Sequence, residues 1–224
     1  MAEGAALWKQ VDQYITDQLI PADSVLEEAQ AANAAAGLPT IDVAPNQGKL
    51  LHLLARIAGA KKILEIGTLG GYSTTWLARA LPEDGRLITL EFDAKHAEVA
   101  RKNIARAGLD KLVTVRQGAA LDTLPLLVEE GEGPFDLIFI DADKKNIPNY
   151  LTWSLKLSRK GTLILVDNVI RDGEVIDASS EDPNVQGARQ LFDMLKSEPR
   201  LQATALQTVG SKGYDGFAMA VVVE

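Results

Sequence analysis

Two short stretches of this sequence place oxygen ligands beside a potential base: Asp141-Ala142-Asp143-Lys144 and Asp167-Asn168. Carboxylate and amide oxygens suit a hard cation such as Mg²⁺. Asp141, Asp167 and Asn168 together would leave an octahedral ion open positions for water or a substrate oxygen. Lys144 adds a side chain that can take a proton when neutral. Asp and Asn also favour turns, so either stretch alone reads as an ordinary turn. What distinguishes them is context, because each follows an apolar run, FDLIFI or TLILV, of the kind that forms a strand buried on both faces.

Two more carboxylates follow comparable runs, Glu65 in KILEIG and Glu91 in LITLEFD. The first run opens into Gly67-Thr68-Leu69-Gly70-Gly71, a glycine turn leading to a helical segment. This turn lacks the G-x-G-x-x-G spacing of a dinucleotide site, and no Lys or Arg lies between Lys62 and Arg79 to hold a phosphate chain. It suits a nucleoside without phosphates. Glu91 stands near the offset of about 20 residues at which an acidic side chain meets ribose hydroxyls in such folds. Gly118-Ala119, after the third run, offers a close backbone for an adenine ring.

The elements that must carry these residues alternate from Lys61 onward. Strands are expected at 62–66, 87–91, 112–116, 136–140 and 162–166, with helices at 72–81, 95–107, 121–130 and 149–157 between them. This βα rhythm implies a parallel, Rossmann-like sheet with helices on both faces, whose ligands bind beyond the carboxyl ends of the strands. After a helix at 185–195 come strands at 202–209 and 216–223. The loop between them is too short for a parallel crossover, so they form an antiparallel hairpin.

Ahead of the sheet, Leu7, Val11, Tyr14, Ile15 and Leu19 recur with helical spacing. Asp23-Ser24 can cap a second helix running to Gly37, and a third over 45–59 would turn Leu50, Leu51, Leu53, Leu54 and Ile57 inward. Residues 1–40 read as a helical cap on one 224-residue domain, placed to cover a pocket or to pack a dimer. His52, among those leucines, reads as a packing or surface residue.

Composition narrows the function classes. The net charge is -8 and the sequence pI about 4.9, which disfavours nucleic acid as a partner because such binding rests on Lys and Arg. The absence of Cys excludes thiolate metal sites, and with only His52 and His96 a multi-histidine site is implausible. The charged N-terminal stretch is no signal peptide, and no run approaches the ~18–20 apolar residues of a membrane span. A cytoplasmic protein is expected.

The ordered set EIGTLGGYS, LEFD, IDADK, VDNVIRDG and KGYDGFAMAVV resembles the cation-dependent O-methyltransferases, the family of catechol and caffeoyl-CoA O-methyltransferases, and in particular their small bacterial members. The similarity runs from about Asp42 to the C-terminus. It implies the seven-stranded class I methyltransferase sheet with a reversed last strand. It also implies S-adenosylmethionine lying over Gly67, Thr68 and Gly71, with Glu65 and Ser73 at its methionine end, Glu91 at its ribose and Ala119 at its adenine. Val43, Asp141 and Asp143 are further cofactor contacts in the family pattern. Asp141, Asp167 and Asn168 would ligate Mg²⁺, or another divalent cation such as Mn²⁺ or Ca²⁺, and Lys144 would be the base beside Asp141. A small phenolic acceptor and a homodimer are implied as well, and the apolar N-terminal helix around Trp8 could serve the dimer. The chain departs from many members at Ile147, where they carry a tyrosine, and in the short polar loop between Asp172 and Asn184.

Two competing readings place other ligands on the same frame. Some bacterial relatives methylate a hydroxylated uridine in tRNA, against which the acidic pI counts. An NAD-binding oxidoreductase is opposed by the missing dinucleotide spacing and by the VDN strand end.

Overall fold

The apolar runs become the middle of one seven-stranded sheet. The computed structural model describes residues 2–224, with side chains from residue 4. The strands are β1 (Lys62–Ile66), β2 (Arg86–Glu91), β3 (Val113–Gln117), β4 (Phe135–Ile140), β5 (Ser158–Asp167), β6 (Leu201–Gly210) and β7 (Gly213–Val222). Their order across the sheet is β3-β2-β1-β4-β5-β7-β6. β1 to β5 pair in parallel, and β7 runs antiparallel to both β5 and β6. The expected hairpin is present with a tighter turn, because the pairing extends out to Gly210 and Gly213.

The helices are α1 (Ala2–Leu19), α2 (Ser24–Ala35), α3 (Pro45–Ile57), α4 (Tyr72–Ala78), α5 (Ala94–Arg106), α6 (Ala120–Glu129), α7 (Ile147–Lys156) and α8 (Pro183–Ser197). Asp23 caps α2 by accepting from Leu26 N, as its position before the helix predicts. Helices α2 to α5 cover the sheet face bearing Ile63, Leu87, Leu137, Phe139, Leu163 and Leu165. Helices α6 to α8 cover the other face, with Leu64, Ile66, Ile88, Ile138, Ile140 and Ile164. Successive strand residues therefore feed opposite cores, the period-2 consequence of the pleat. Among the described residues no helix is long and apolar enough to cross a membrane.

The α1 stripe, expected to cover a pocket or to pack a dimer, leaves Leu7, Val11, Tyr14 and Leu19 exposed. One expectation about the N-terminal region needs correcting. In α3 it is Gly48, Leu51 and Ala55 that are buried, while Leu50, Leu53 and Ile57, expected inward, are exposed. The reason is close packing on α4: a Cβ at Gly48 would stand 2.4 Å from the Trp76 ring, so the small-residue face turns inward and the leucines beside it turn away. His52 behaves as read, with Nδ1 3.1 Å from the Trp76 carbonyl oxygen.

Candidate active site

Strand alternation puts the carboxylates on one side. Glu65, Glu91 and Asp167 each stand two residues from a core residue of the α2–α5 face, or an even number further. Asp141, one residue beyond β4, continues the ladder, since its backbone N–H donates to Ile66 O at 2.8 Å. Ile140 pairs with Val166, so Asp141 and Asp167 leave adjacent strands side by side. Gly67 permits this crowding: its φ is +105°, and a Cβ there would lie 2.1 Å from the Asp141 carbonyl oxygen.

The glycine turn is fixed from both ends. Glu91 Oε2 accepts from Thr68 N at 3.1 Å and Leu69 N at 2.8 Å. Behind the turn, Asn103 Nδ2 donates to Gly70 O at 2.9 Å and to Asn33 Oδ1 at 3.0 Å, and Asn33 Nδ2 reaches Asp42 Oδ1 at 3.2 Å. Helices α2 and α5 thus brace the turn and the segment entering α3. Glu65 is fully buried beneath it. Ser73 Oγ donates to its Oε1 at 2.6 Å and the Thr74 hydroxyl to its Oε2. Burial pushes the Glu65 carboxyl up to about 7, against the pull of those hydroxyls and with the help of the neighbouring Asp141 charge.

A cavity of about 690 Å³ opens above these strand ends. Val43, Gly67, Thr68, Ser73, Glu91, Ala119, Asp141, Asp143 and Lys144 all line it, as does His96. Of the residues singled out for a nucleoside ligand, Glu65 and Gly71 do not line it: Glu65 is fully buried, and Gly71, with a φ of +84°, starts α4. Asp143 is held by Asn146 Nδ2 at 2.6 Å and by the Tyr150 hydroxyl. Lys144 is 9% exposed, and its Nζ donates to Asp141 Oδ1 at 2.7 Å. Its backbone is pressed by α8 at Gly187, where a Cβ would lie 2.1 Å from the Lys144 carbonyl oxygen.

Asp167 is 5% exposed and closes the group. Its Oδ2 accepts from Gln47 Nε2 at 2.6 Å and its Oδ1 from Asn168 N at 2.9 Å. Burial, and then the Asp141 charge, raise its carboxyl to about 7. Two carboxylates packed together at this cost are the donor set a divalent cation would relieve. Among the described residues no three His, Cys, Asp or Glu side chains converge. The set of two carboxylates and the Asn168 amide therefore fits an ion that keeps several waters, as Mg²⁺ does, better than an all-protein cage. Asn168, Arg171 and Asp172 all have φ near +55°, conformations that cost on the order of 1–3 kcal/mol each in non-glycine residues. Asp215 Oδ1 stabilises the stretch by accepting from Ile170 N at 2.9 Å and Arg171 N at 3.1 Å.

A second cavity, about 300 Å³, lies between α1, the start of α3 and the hairpin. Asp12, Gln47, Leu50, Asp167, Tyr214 and Phe217 line it. Asn168 lines both cavities. Sequence reasoning passed over Gln47, His96 and Asn103. For Gln47 the one available signal was a polar residue soon after Val43 on an apolar helix, and that is weak.

The profile of the family described as O-methyltransferase matches residues 17–219. The chain belongs to the O-methyltransferase family. It is 58% identical over 216 residues to a catechol O-methyltransferase of Niastella koreensis, covering 96% of this chain and 98% of that one. Among solved structures it superposes on the O-methyltransferase from Bacillus cereus in complex with SAH, with a TM-score of 0.96, 61% identity and coverage of 97% and 99%. The O-methyltransferase TomG from Streptomyces achromogenes, in complex with SAM, gives 0.95 and 49%, with coverage of 98% and 99%. The seven-stranded order with its reversed strand is thus the family's methyltransferase sheet, as expected from the motifs.

Proposed function

We propose that this O-methyltransferase moves the methyl group of S-adenosylmethionine (SAM) to one hydroxyl of a small vicinal diphenol, with a divalent cation, Mg²⁺ foremost, held by Asp141, Asp167 and Asn168. The observation that carries this reading is the position of Asn168 on the wall shared by two cavities. The larger cavity, with the glycine turn, Glu91 and Ala119, suits the adenosyl group, and relatives bind SAH or SAM. The smaller one suits an acceptor the size of a substituted ring.

A phenol has a pKa near ~10, so the free acceptor is a poor nucleophile at neutral pH. A cation at Asp141, Asp167 and Asn168, when bound, favours the phenolate and fixes both oxygens of a chelating diphenol. Lys144 takes the hydroxyl proton in its neutral form. Its bond to Asp141 aims the side-chain nitrogen at the strand ends. Gln47 holds the outer oxygen of Asp167, and Tyr150 with Asn146 holds Asp143 on the cofactor side. Leu50, Phe217 and Tyr214 supply apolar surface on which the ring can rest.

Two copies of the chain pair through the exposed stripe of α1, where Leu7, Val11 and Tyr14 stand in solvent. Light scattering at micromolar concentration tests that assembly. The chemistry is tested by offering labelled SAM with a vicinal diphenol, its mono-O-methylated form and a monophenol. Only the first should be methylated at an appreciable rate. Equal turnover of the monophenol would remove the chelation argument.

A further inference from the structure

The carboxylate assigned to the ribose is already largely used. An ionised Glu offers about four acceptor positions on its two oxygens. In Glu91, Oε2 takes the N–H groups of Thr68 and Leu69, and Oε1 takes that of Asp93 at 2.9 Å. One position is left, on Oε1. A ribose presents two neighbouring hydroxyls, so Glu91 can serve one of them and the other needs a partner.

His96 stands beside that oxygen. Its Nδ1 lies 3.6 Å from Glu91 Oε1, too long for a hydrogen bond and short enough for neighbouring hydroxyls to meet one group each. The imidazole is partly exposed and lines the larger cavity beside Phe92 and Ala119. Its place is fixed by the start of α5, where Asp93 Oδ1 accepts from Lys95 N at 2.7 Å and from His96 N at 3.1 Å. A helical side chain in the first turn points back toward the N-terminus, here toward the end of β2.

We infer that His96 is a second ribose ligand, binding the hydroxyl that Glu91 has no acceptor position to serve. The diol is thereby split between a carboxylate and an imidazole, and His96 belongs to the cofactor site. The inference rests on the larger cavity holding SAM, which binding of S-adenosylhomocysteine (SAH) to the unaltered protein tests separately.

The experiment is calorimetric titration of the wild type, His96→Ala and His96→Gln with SAH and with its 2′-deoxy and 3′-deoxy ribose analogues. In the wild type each missing hydroxyl should weaken binding roughly 3- to 10-fold, the scale of one hydrogen bond. His96→Ala should weaken SAH by a similar factor and then show no further loss with one of the two deoxy analogues, while still discriminating against the other. His96→Gln, which keeps a hydrogen-bonding group, should recover part of the loss. If His96→Ala weakens all three ligands by the same factor, His96 acts only through the shape of the site and the inference falls. Unchanged binding of all three overturns it equally. Should His96→Ala fold poorly, the same criterion applies to His96→Gln, which must then alter the discrimination against one hydroxyl alone. A wild type that does not bind SAH would remove the cofactor reading itself, and this inference with it.

Discussion

Gln47 and Asp167 stand 120 positions apart in the chain and meet through a 2.6 Å bond from the amide Nε2 to the carboxylate Oδ2. One is near the start of α3 and the other ends β5, so the bond ties the helix that follows Val43 to the proposed cation site. An outer partner of this kind orients a ligand oxygen without touching the ion. Gln47→Ala should therefore weaken Mn²⁺ binding, followed by electron paramagnetic resonance, by about 10- to 100-fold. Affinity for SAH should stay within a factor of about three, since no cofactor contact is removed. Unchanged Mn²⁺ affinity would reduce the bond to a packing detail.

Lys144 is nearly buried and engaged with Asp141 at 2.7 Å. If it takes the acceptor's proton, Lys144→Met should lower kcat about 10²- to 10⁴-fold. The KM for SAM should barely move. A small and equal effect on both constants would mean that the lysine only fills space beside Asp141.

Glu65 gives the protein a pH-dependent stability of defined sign. Its ordinary value is 4.5 and burial raises it to about 7 in the folded chain. Between those values the unfolded chain has released its proton and the folded chain retains it. The contribution to stability is thus full below pH 4.5 and is lost as the pH rises through about 7. Asp167 acts in the same sense. Glu65→Gln should remove its share of that decline, so the variant's melting temperature should gain on wild type as the pH rises through this window. Parallel melting curves would show that Glu65 is ionised throughout.

Gly67 and Gly59 separate crowding from backbone strain. Both have positive φ, but a Cβ at Gly67 would strike the Asp141 carbonyl oxygen, whereas at Gly59 it would meet open space. Gly59→Ala should cost about 1–2 kcal/mol, the penalty of a left-handed L-residue. Gly67→Ala should cost about 1–3 kcal/mol beyond that, because two strand ends must separate. Urea unfolding of both variants distinguishes the cases. Equal losses would show that the close approach at Gly67 relaxes freely.

How much was legible in the sequence follows from the range of each interaction. The strand runs and the carboxylates at their ends could be read locally, since apolar runs such as LIFI demand burial and each is followed by its acidic residue. The sharing of one face by Glu65, Glu91 and Asp167 was implicit in their even offsets from the core positions. The α1 stripe was visible as a period, but a period does not say which surface it will meet, and Leu7 and Tyr14 proved exposed. Two of the three backbone donors on Glu91 come from how the glycine turn folds back and the third from the chain bending at Asp93, and no residue type announces that. Gln47 was hidden for a related reason, for its partner lies 120 positions along the chain and only the tertiary fold brings the two together.

Cation dependence is tested most directly by methyl transfer from labelled SAM to a neutral vicinal diphenol, using protein stripped with a chelator and then titrated with Mg²⁺. The stripped protein should still bind SAH yet transfer no methyl group, and activity should return as Mg²⁺ is added. Transfer at the full rate in the presence of excess chelator would contradict the assignment of Asp141, Asp167 and Asn168 as cation ligands.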